Sequence, residues 1–433
     1  MESEDDYRGR EVEESIRILI EDDSSRSNDV RQSNVKICRV PDALRQVDQS
    51  AYNPRITSIG PLHRRSYGLE AMEEHKVTYM SRLFHRTAGS TKKNVDQITR
   101  ECVQAILGVA KRARNCYSPS LTNWNDFKLT KMMVTDGCFI LELLYKFKYE
   151  WMVSDSIMES FLVMQDIKRD LLLLENQIPF FILEILFGLT VKQIFISESL
   201  TDLIFNFFKD MHILSSEVKI SHELTEHYHI LEFFHSCYRP TATKSGPVPT
   251  RTYSATKLAV AGVRFKKQSN PDFPLTVKFK QSPLPTQTSL AIPVLHIKNS
   301  TPSILKNMIA YEQLFPLSRQ YVTSFAFLMD RLIDTDDDVL LLVKSNVLRH
   351  PLGAREDVTY LFNTICVGVV HRDFSYYEEW KQLEEYCKRF WPRIFISMRG
   401  LYKSTTWKTM TVIAGVMIFI LTLIQTIYTV KNA

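Results

Sequence analysis

Asp136, Glu142, Asp170 and Glu175 stand in the two most apolar stretches of the chain, "DGCFILELL" (136–144) and "DLLLLENQIPFFIL" (170–183). A carboxyl held in apolar surroundings has a raised pKa and can serve as a general acid, with a second carboxylate as base or nucleophile. The sharpest catalytic reading is therefore a hydrolase built on these four groups. The competing reading is structural. Carboxylates near the breaks at Gly137 and Pro179 can cap helices or accept from freed backbone amides. Charged groups in cores are more often structural partners than catalysts, so the expectation is a protein without assignable catalysis.

Other chemistries find less. "HELTEH" (222–227) resembles a zinc helix motif, but His222 and His227 are five apart, about 140° around a helix, not one turn. His229 and His235 add density without fixing a site, so no metal is expected. No G-x-S-x-G is present, and Cys138 after Gly137 reads as a core cysteine. "DTDDD" (334–338) lacks the glycine and terminal glutamate of a calcium loop. It reads as acids at the positive end of a helix that runs on through Val339. Glycine is scarce, 13 of 433, and no phosphate-cradling loop appears, so no cofactor is expected.

The end of the chain is more informative. Met410 to Tyr428 is 19 residues without a charge, enough for a helix of about 28 Å. Apolar residues surround its axis instead of forming one stripe, which points to a transmembrane helix over 410–428. Arg393, Arg399, Lys403 and Lys408 precede it and Lys431 follows, and the basic side normally stays cytoplasmic. The expectation is a single-pass tail anchor that contacts membrane lipid, with the body in the cytosol. The opening "MESEDDYRGREVEES" is acidic and polar, unlike a secretory signal. Seven scattered cysteines without a C-x-x-C pair suit reduced thiols. The sequon Asn299-Ser300-Thr301 becomes a glycosylation site if the body is lumenal.

Residues 1–34 carry 11 acids and 5 bases and read as a disordered acidic arm of net charge −6. The whole chain is +5, so the remainder is +11 and could touch anionic lipid. The clusters "HRR" (63–65) and "KRAR" (111–114) are short and carry no nucleic-acid motif, so no nucleic acid is expected.

Helical periodicity dominates residues 35–238. One helix is expected over 69–84 and another over 95–109, and Asp136 is read as an N-cap or turn residue. Residues 166–189 read as a buried helix pair broken at Pro179. Residues 239–300 form a loop-rich insert. Alternation at Val263/Phe265, at Leu275/Val277/Phe279 and at Leu290/Ile292/Val294 predicts short strands. Helices return over 301–405. The fold class is mainly α (α+β): a helical body, a small inserted β-sheet and one C-terminal transmembrane helix.

Seven strings occur in a familiar order: "VPDALRQVDQSAYNPRITSIGP" (40–61), "DGCFILELL", "DLLLLENQIPFFIL", "SATKLAVAGVRFK" (254–266), "LKNMIAYEQ" (305–313), "VTSFAFLMDRLIDTDDDV" (322–339) and the C-terminal apolar segment. Over roughly residues 35 to 430 the chain resembles the plant domain-of-unknown-function family 247. It departs from that pattern at Leu62-His63-Arg64-Arg65, Asp48, Lys257, Ala259 and Val260. The resemblance implies a plant membrane-associated protein without established catalysis. Some grass members are associated with pollen self-incompatibility, which implies recognition of an unidentified protein partner, or signalling. The expected working surface is the exposed part of 239–300 together with the acidic arm. The alternative is a membrane-tethered hydrolase using the four carboxylates.

Overall fold

The computed structural model describes residues 12–14, 16–17, 35–64, 66–118, 121, 123–149, 155, 157–214, 218, 220, 226–240, 245–250, 252–269, 273–282, 287–315, 319–349, 355–388 and 406–431. Most of the acidic arm, His222, Arg393, Arg399 and Lys403 lie outside them. The protein is mainly helical with small sheets. The chain separates into two compact units, one of residues 1–211 with 220–236, the other of 212–219 with 237–433.

The first unit is built around α4 (Asp126–Tyr149), in which every residue from Leu129 to Lys146 except Lys131 is buried. Two helices flank it, α1 (Ala71–Ser90) and α2 (Val95–Gly108). On α1 the residues Met72, Lys76, Tyr79, Leu83 and Thr87 recur every three or four positions, so one face turns inward. A reciprocal Asn94–Gln97 capping box starts α2 and satisfies two of its free amides. After α3 (Ala110–Asn115), the strands β1 (Ile37–Cys38) and β2 (Tyr117–Ser118) pair in parallel. The helices α5 (Phe161–Asp170), α6 (Phe180–Leu189), α7 (Leu200–Phe207) and α8 (Ile230–Ser236) complete the unit. A Cβ on Gly137 of α4 would stand 2.4 Å from Leu186 Cδ1, so that glycine lets α6 pack tightly.

Two sequence expectations change here. Asp136 lies in the middle of α4, not at its start, because the amphipathic pattern begins ten residues earlier at Asp126. The stretch 166–189 is the end of α5, nine non-helical residues (171–179) and then α6. Side chains of that same stretch take over the hydrogen bonding that a helix would have supplied.

In the second unit, α9 (Ala255–Val260) leads into a three-stranded sheet of order β3-β5-β4, formed by β3 (Arg264–Lys267), β4 (Lys278–Lys280) and β5 (Ser289–Ile292). β3 runs parallel and β4 antiparallel to β5. The strands β6 (Leu295–His296) and β7 (Leu348–Arg349) form a separate parallel pair. Around them lie α10 (Thr301–Leu314), α11 (Tyr321–Leu332), α12 (Asp336–Lys344), α13 (Arg355–Ile365) and α14 (Tyr377–Lys388). Buried Glu312 accepts from the amides of Val322 and Thr323 at 2.9 and 2.7 Å and so caps α11. Asp338, within the acidic run, forms a capping box with Thr335 and accepts from Thr256 of α9 at 2.7 Å.

The last helix, α15 (Thr406–Lys431), contains Met410–Thr429, 20 residues of mean hydropathy 2.3, none of them buried. It is long and apolar enough to cross a membrane.

Candidate functional site

All four carboxylates singled out by the sequence lie in the first unit and are buried. Asp170, at the end of α5, accepts from the backbone amides of Arg55, Ile56 and Thr57 at 2.9 to 3.1 Å and from the Arg169 guanidinium at 2.8 Å. Burial pushes its carboxyl up, and the amides and the guanidinium pull the other way. Glu175 accepts from the Val40 amide at 2.6 Å and from the Arg45 guanidinium, with His63 Nε2 at 3.2 Å. Burial alone would raise Glu175, but His63, the Val40 amide and Arg45 outweigh it and hold the carboxyl below its ordinary range.

Asp136 completes the same arrangement from α4. It accepts from the Gly60 amide at 2.9 Å, from Arg64 at 2.8 Å and from the wholly buried Lys76 at 2.9 Å. Glu142, two turns further along, meets the Arg86 guanidinium at 2.9 Å instead and stands apart from the other three.

Two neutral side chains that sequence reasoning passed over belong to the set. Asn176 accepts from the Ile59 amide at 2.6 Å and donates to the carbonyls of Thr57 and Asp170. Gln177 donates to the carbonyls of Leu171 and Leu173 and accepts from the Leu231 amide at 3.2 Å. Together, the side chains of Asp136, Asp170, Glu175 and Asn176 satisfy the amides of residues 40, 55, 56, 57, 59 and 60. The arrangement is a polar clasp around an irregular segment, holding buried backbone that has no helix or strand partner. Gly60 is required in it: its φ is +75°, and a Cβ there would fall 2.3 Å from the Gln177 carbonyl oxygen. The departures His63 and Arg64 both serve the clasp, and Asp48 caps the turn that begins at Gln49. A signal for Asn176 and Gln177 did exist, in the polar triplet "ENQ" inside an apolar run.

Asp155 is a further buried carboxylate that the sequence did not flag. Burial would raise it, but Lys146 at 2.8 Å, Tyr79 at 2.6 Å and the Ile157 amide hold it well below the usual range.

Crevices open on the first unit among the described residues. One of about 750 Å³ is lined by Arg39, Arg45, Asn53, His63 and Ser66, among others. Another, of about 840 Å³, is lined by Lys36, Arg112, Phe181, Glu184, His227 and Tyr228, among others. In the second, Lys36 lies over the Tyr228 ring and Arg112 over Phe181, at 4.1 and 3.9 Å. None of the four carboxylates lines either crevice.

The remaining candidates separate. His227 pairs with Glu232 at 3.0 Å, while His229 is buried against the Lys36 carbonyl at 3.1 Å. Burial pushes His229 down to about 4. Among the described residues no group of three or more histidines, cysteines and acids is placed to hold a metal. All seven cysteines are free, and burial pushes the Cys138 thiol up. Asn299 is exposed in the turn before α10, whereas Thr301 is buried and its hydroxyl accepts from the Lys298 amide at 2.9 Å.

Comparison with known proteins finds similarity over most of the chain. The chain is 28% identical to UPF0481 protein At3g47200 of Arabidopsis thaliana over 418 residues, covering 90% of this chain and 85% of that one. It is 20% identical to Putative UPF0481 protein At3g02645 of the same plant over 502 residues, covering 92% and 90%. No solved structure matches. The model of a family described as plant protein of unknown function matches residues 37–421, from β1 into the terminal apolar helix. The chain therefore belongs to the plant domain-of-unknown-function family 247.

Proposed function

We propose that the protein is a single-pass, tail-anchored recognition or signalling protein with a cytosolic body and no catalysis of its own. One observation carries this reading: the segment Met410–Thr429 buries none of its residues against protein. A large apolar side chain left in water costs about 1.5–3 kcal/mol relative to burial. A helix with apolar residues all round it therefore requires an apolar phase, and its length matches a bilayer. The cation bias of Arg393, Arg399, Lys403 and Lys408 against Lys431 supports a cytosolic body. The clasp supports a structural role for the carboxylates, because a general acid must reach its substrate and these reach backbone amides and cations instead. The partner is a protein that meets the exposed part of 239–300 and the acidic arm.

The test is protease protection of an N-terminal epitope on intact microsomes, with alkaline carbonate extraction of a separate sample. The expected result is a carbonate-resistant protein whose epitope is digested. Extraction by carbonate removes the anchor from this reading. A protected epitope reverses the topology, and a glycosidase-sensitive mass at Asn299 would then accompany it.

A further inference from the structure

The three-stranded sheet of the second unit carries its charge in an unusual arrangement. Strand alternation puts Phe265, Leu290 and Phe279 on one face, where Phe265 and Leu290 are buried and the Phe279 ring lies 6.1 Å from that of Tyr386. The other face is fixed by the register. Arg264 pairs with Ser289, which pairs with Lys280; Lys266 pairs with Ala291, which pairs with Lys278. Four exposed cations thus flank two small residues, Arg264 and Lys266 on one side and Lys278 and Lys280 on the other. The two outer strands lie about 10 Å apart, and successive same-face residues about 7 Å. Exposed Lys267 follows at the end of β3.

Like charges at this spacing repel, and Arg264, Lys266 and Lys280 make no ion pair among the described residues. A face with a small-residue floor and cations at its corners suits a flat, dense array of negative charge more than a single ion in a cavity. The sheet's position along the chain adds a second argument. Its inner face packs on α14, whose Tyr386 also donates to the Ala261 carbonyl at 3.2 Å. α14 ends at Lys388, and 17 residues of chain (389–405) separate it from α15. That length reaches at most roughly 60 Å, so an inserted α15 keeps the end of α14 within that distance of the bilayer.

We infer that the Arg264–Lys266–Lys278–Lys280 face of this sheet docks on the anionic lipid headgroups of the leaflet next to the body. This rests on the membrane anchorage proposed above and adds an orientation to it. The cytosolic leaflet carries the anionic lipids, and each nearby cation strengthens association roughly fivefold. Docking fixes which faces of the second unit remain open to a protein partner.

The full-length chain is inserted into nanodiscs of phosphatidylcholine alone or of phosphatidylcholine with phosphatidylserine, and lysine acylation is followed residue by residue by mass spectrometry. Lys266, Lys278 and Lys280 are expected to react several-fold more slowly in the phosphatidylserine discs, with the protection reversed by salt. Exposed Lys92 of the first unit reports general reactivity. In Arg264→Gln with Lys280→Gln, the protection of Lys266 and Lys278 falls. Equal rates in the two kinds of disc overturn the inference while leaving the anchor intact. Protection by added RNA with none from phosphatidylserine also overturns it, in favour of a nucleic-acid surface. Release of the chain from the discs by carbonate overturns the anchor and this inference together.

Discussion

The clasp of the first unit and the sheet of the second use charge in opposite ways. In the clasp, Asp136, Asp170 and Glu175 are buried and meet cations and amides of their own chain. In the sheet, Arg264, Lys266 and Lys280 are exposed and meet no acid among the described residues. Removing a buried charge that is fully engaged leaves its partners unsatisfied in low dielectric, so the clasp governs folding. Removing an exposed cation leaves little unsatisfied, so the sheet is free to be tuned for something outside the molecule. The polar groups that look most catalytic in the sequence thus contact their own chain, and the plain lysines of a short strand face outward.

The hardest test of this contrast is Asp170→Asn combined with Glu175→Gln. The amides of residues 40 and 55–57 then face groups that accept more weakly, and Arg169 and Arg45 lose their counter-charge. Thermal unfolding should show a loss of about 3–5 kcal/mol, or no soluble folded protein. A variant that melts normally while losing an ester-hydrolysing turnover of the parent would move these carboxylates to the hydrolase reading.

A slightly smaller effect is expected from pH. Burial holds His229 at about 4, below its ordinary 6.5. The unfolded chain therefore takes up a proton near pH 6.5, and the folded chain resists it until near pH 4. Stability should be fully present above pH 6.5 and fall as the pH drops through that window, by roughly 3 kcal/mol in all. Denaturant titrations between pH 7 and 4 measure the slope, and His229→Gln should flatten it. An unchanged slope would show that another group dominates acid sensitivity.

Asn176→Ala separates the neutral member of the clasp from the charged ones. It leaves the Ile59 amide and the carbonyls of Thr57 and Asp170 without this partner, at a cost of about 1–3 kcal/mol by denaturant titration. A loss as large as that of the double carboxylate variant would show that geometry matters more than charge in the clasp. At the other end of the scale, Arg264→Gln with Lys280→Gln should leave the melting temperature unchanged. A marked drop would mean that these cations serve the fold, and the contrast between the two regions would fail.

Much of the architecture was readable because it depends on local pattern. The three- and four-residue spacing on α1, the alternation at Phe265 and Phe279, and the Thr335–Asp338 start of α12 involve residues close in the chain. Asp136 was misplaced at a helix start because a buried mid-helix acid next to glycine looks the same as a cap when its partners are unknown. Those partners are Gly60, Arg64 and Lys76, 60 to 76 positions away. The helical reading of 171–179 failed for a related reason. Leucine-rich sequence favours a helix locally, but hydrogen bonds from Asn176 and Gln177 hold an irregular path there.

The sequence by itself determined that this chain is mostly helical, that a short β region interrupts it, and that it carries an apolar helix of membrane-spanning length. These follow from composition and periodicity, which act over a turn or a strand. The tertiary structure alone decided what the carboxylates touch and which cations share a face. The first depends on packing that brings residues 40–60 against 170–177. The second depends on β5 entering between β3 and β4, a strand order and register that no local spacing encodes.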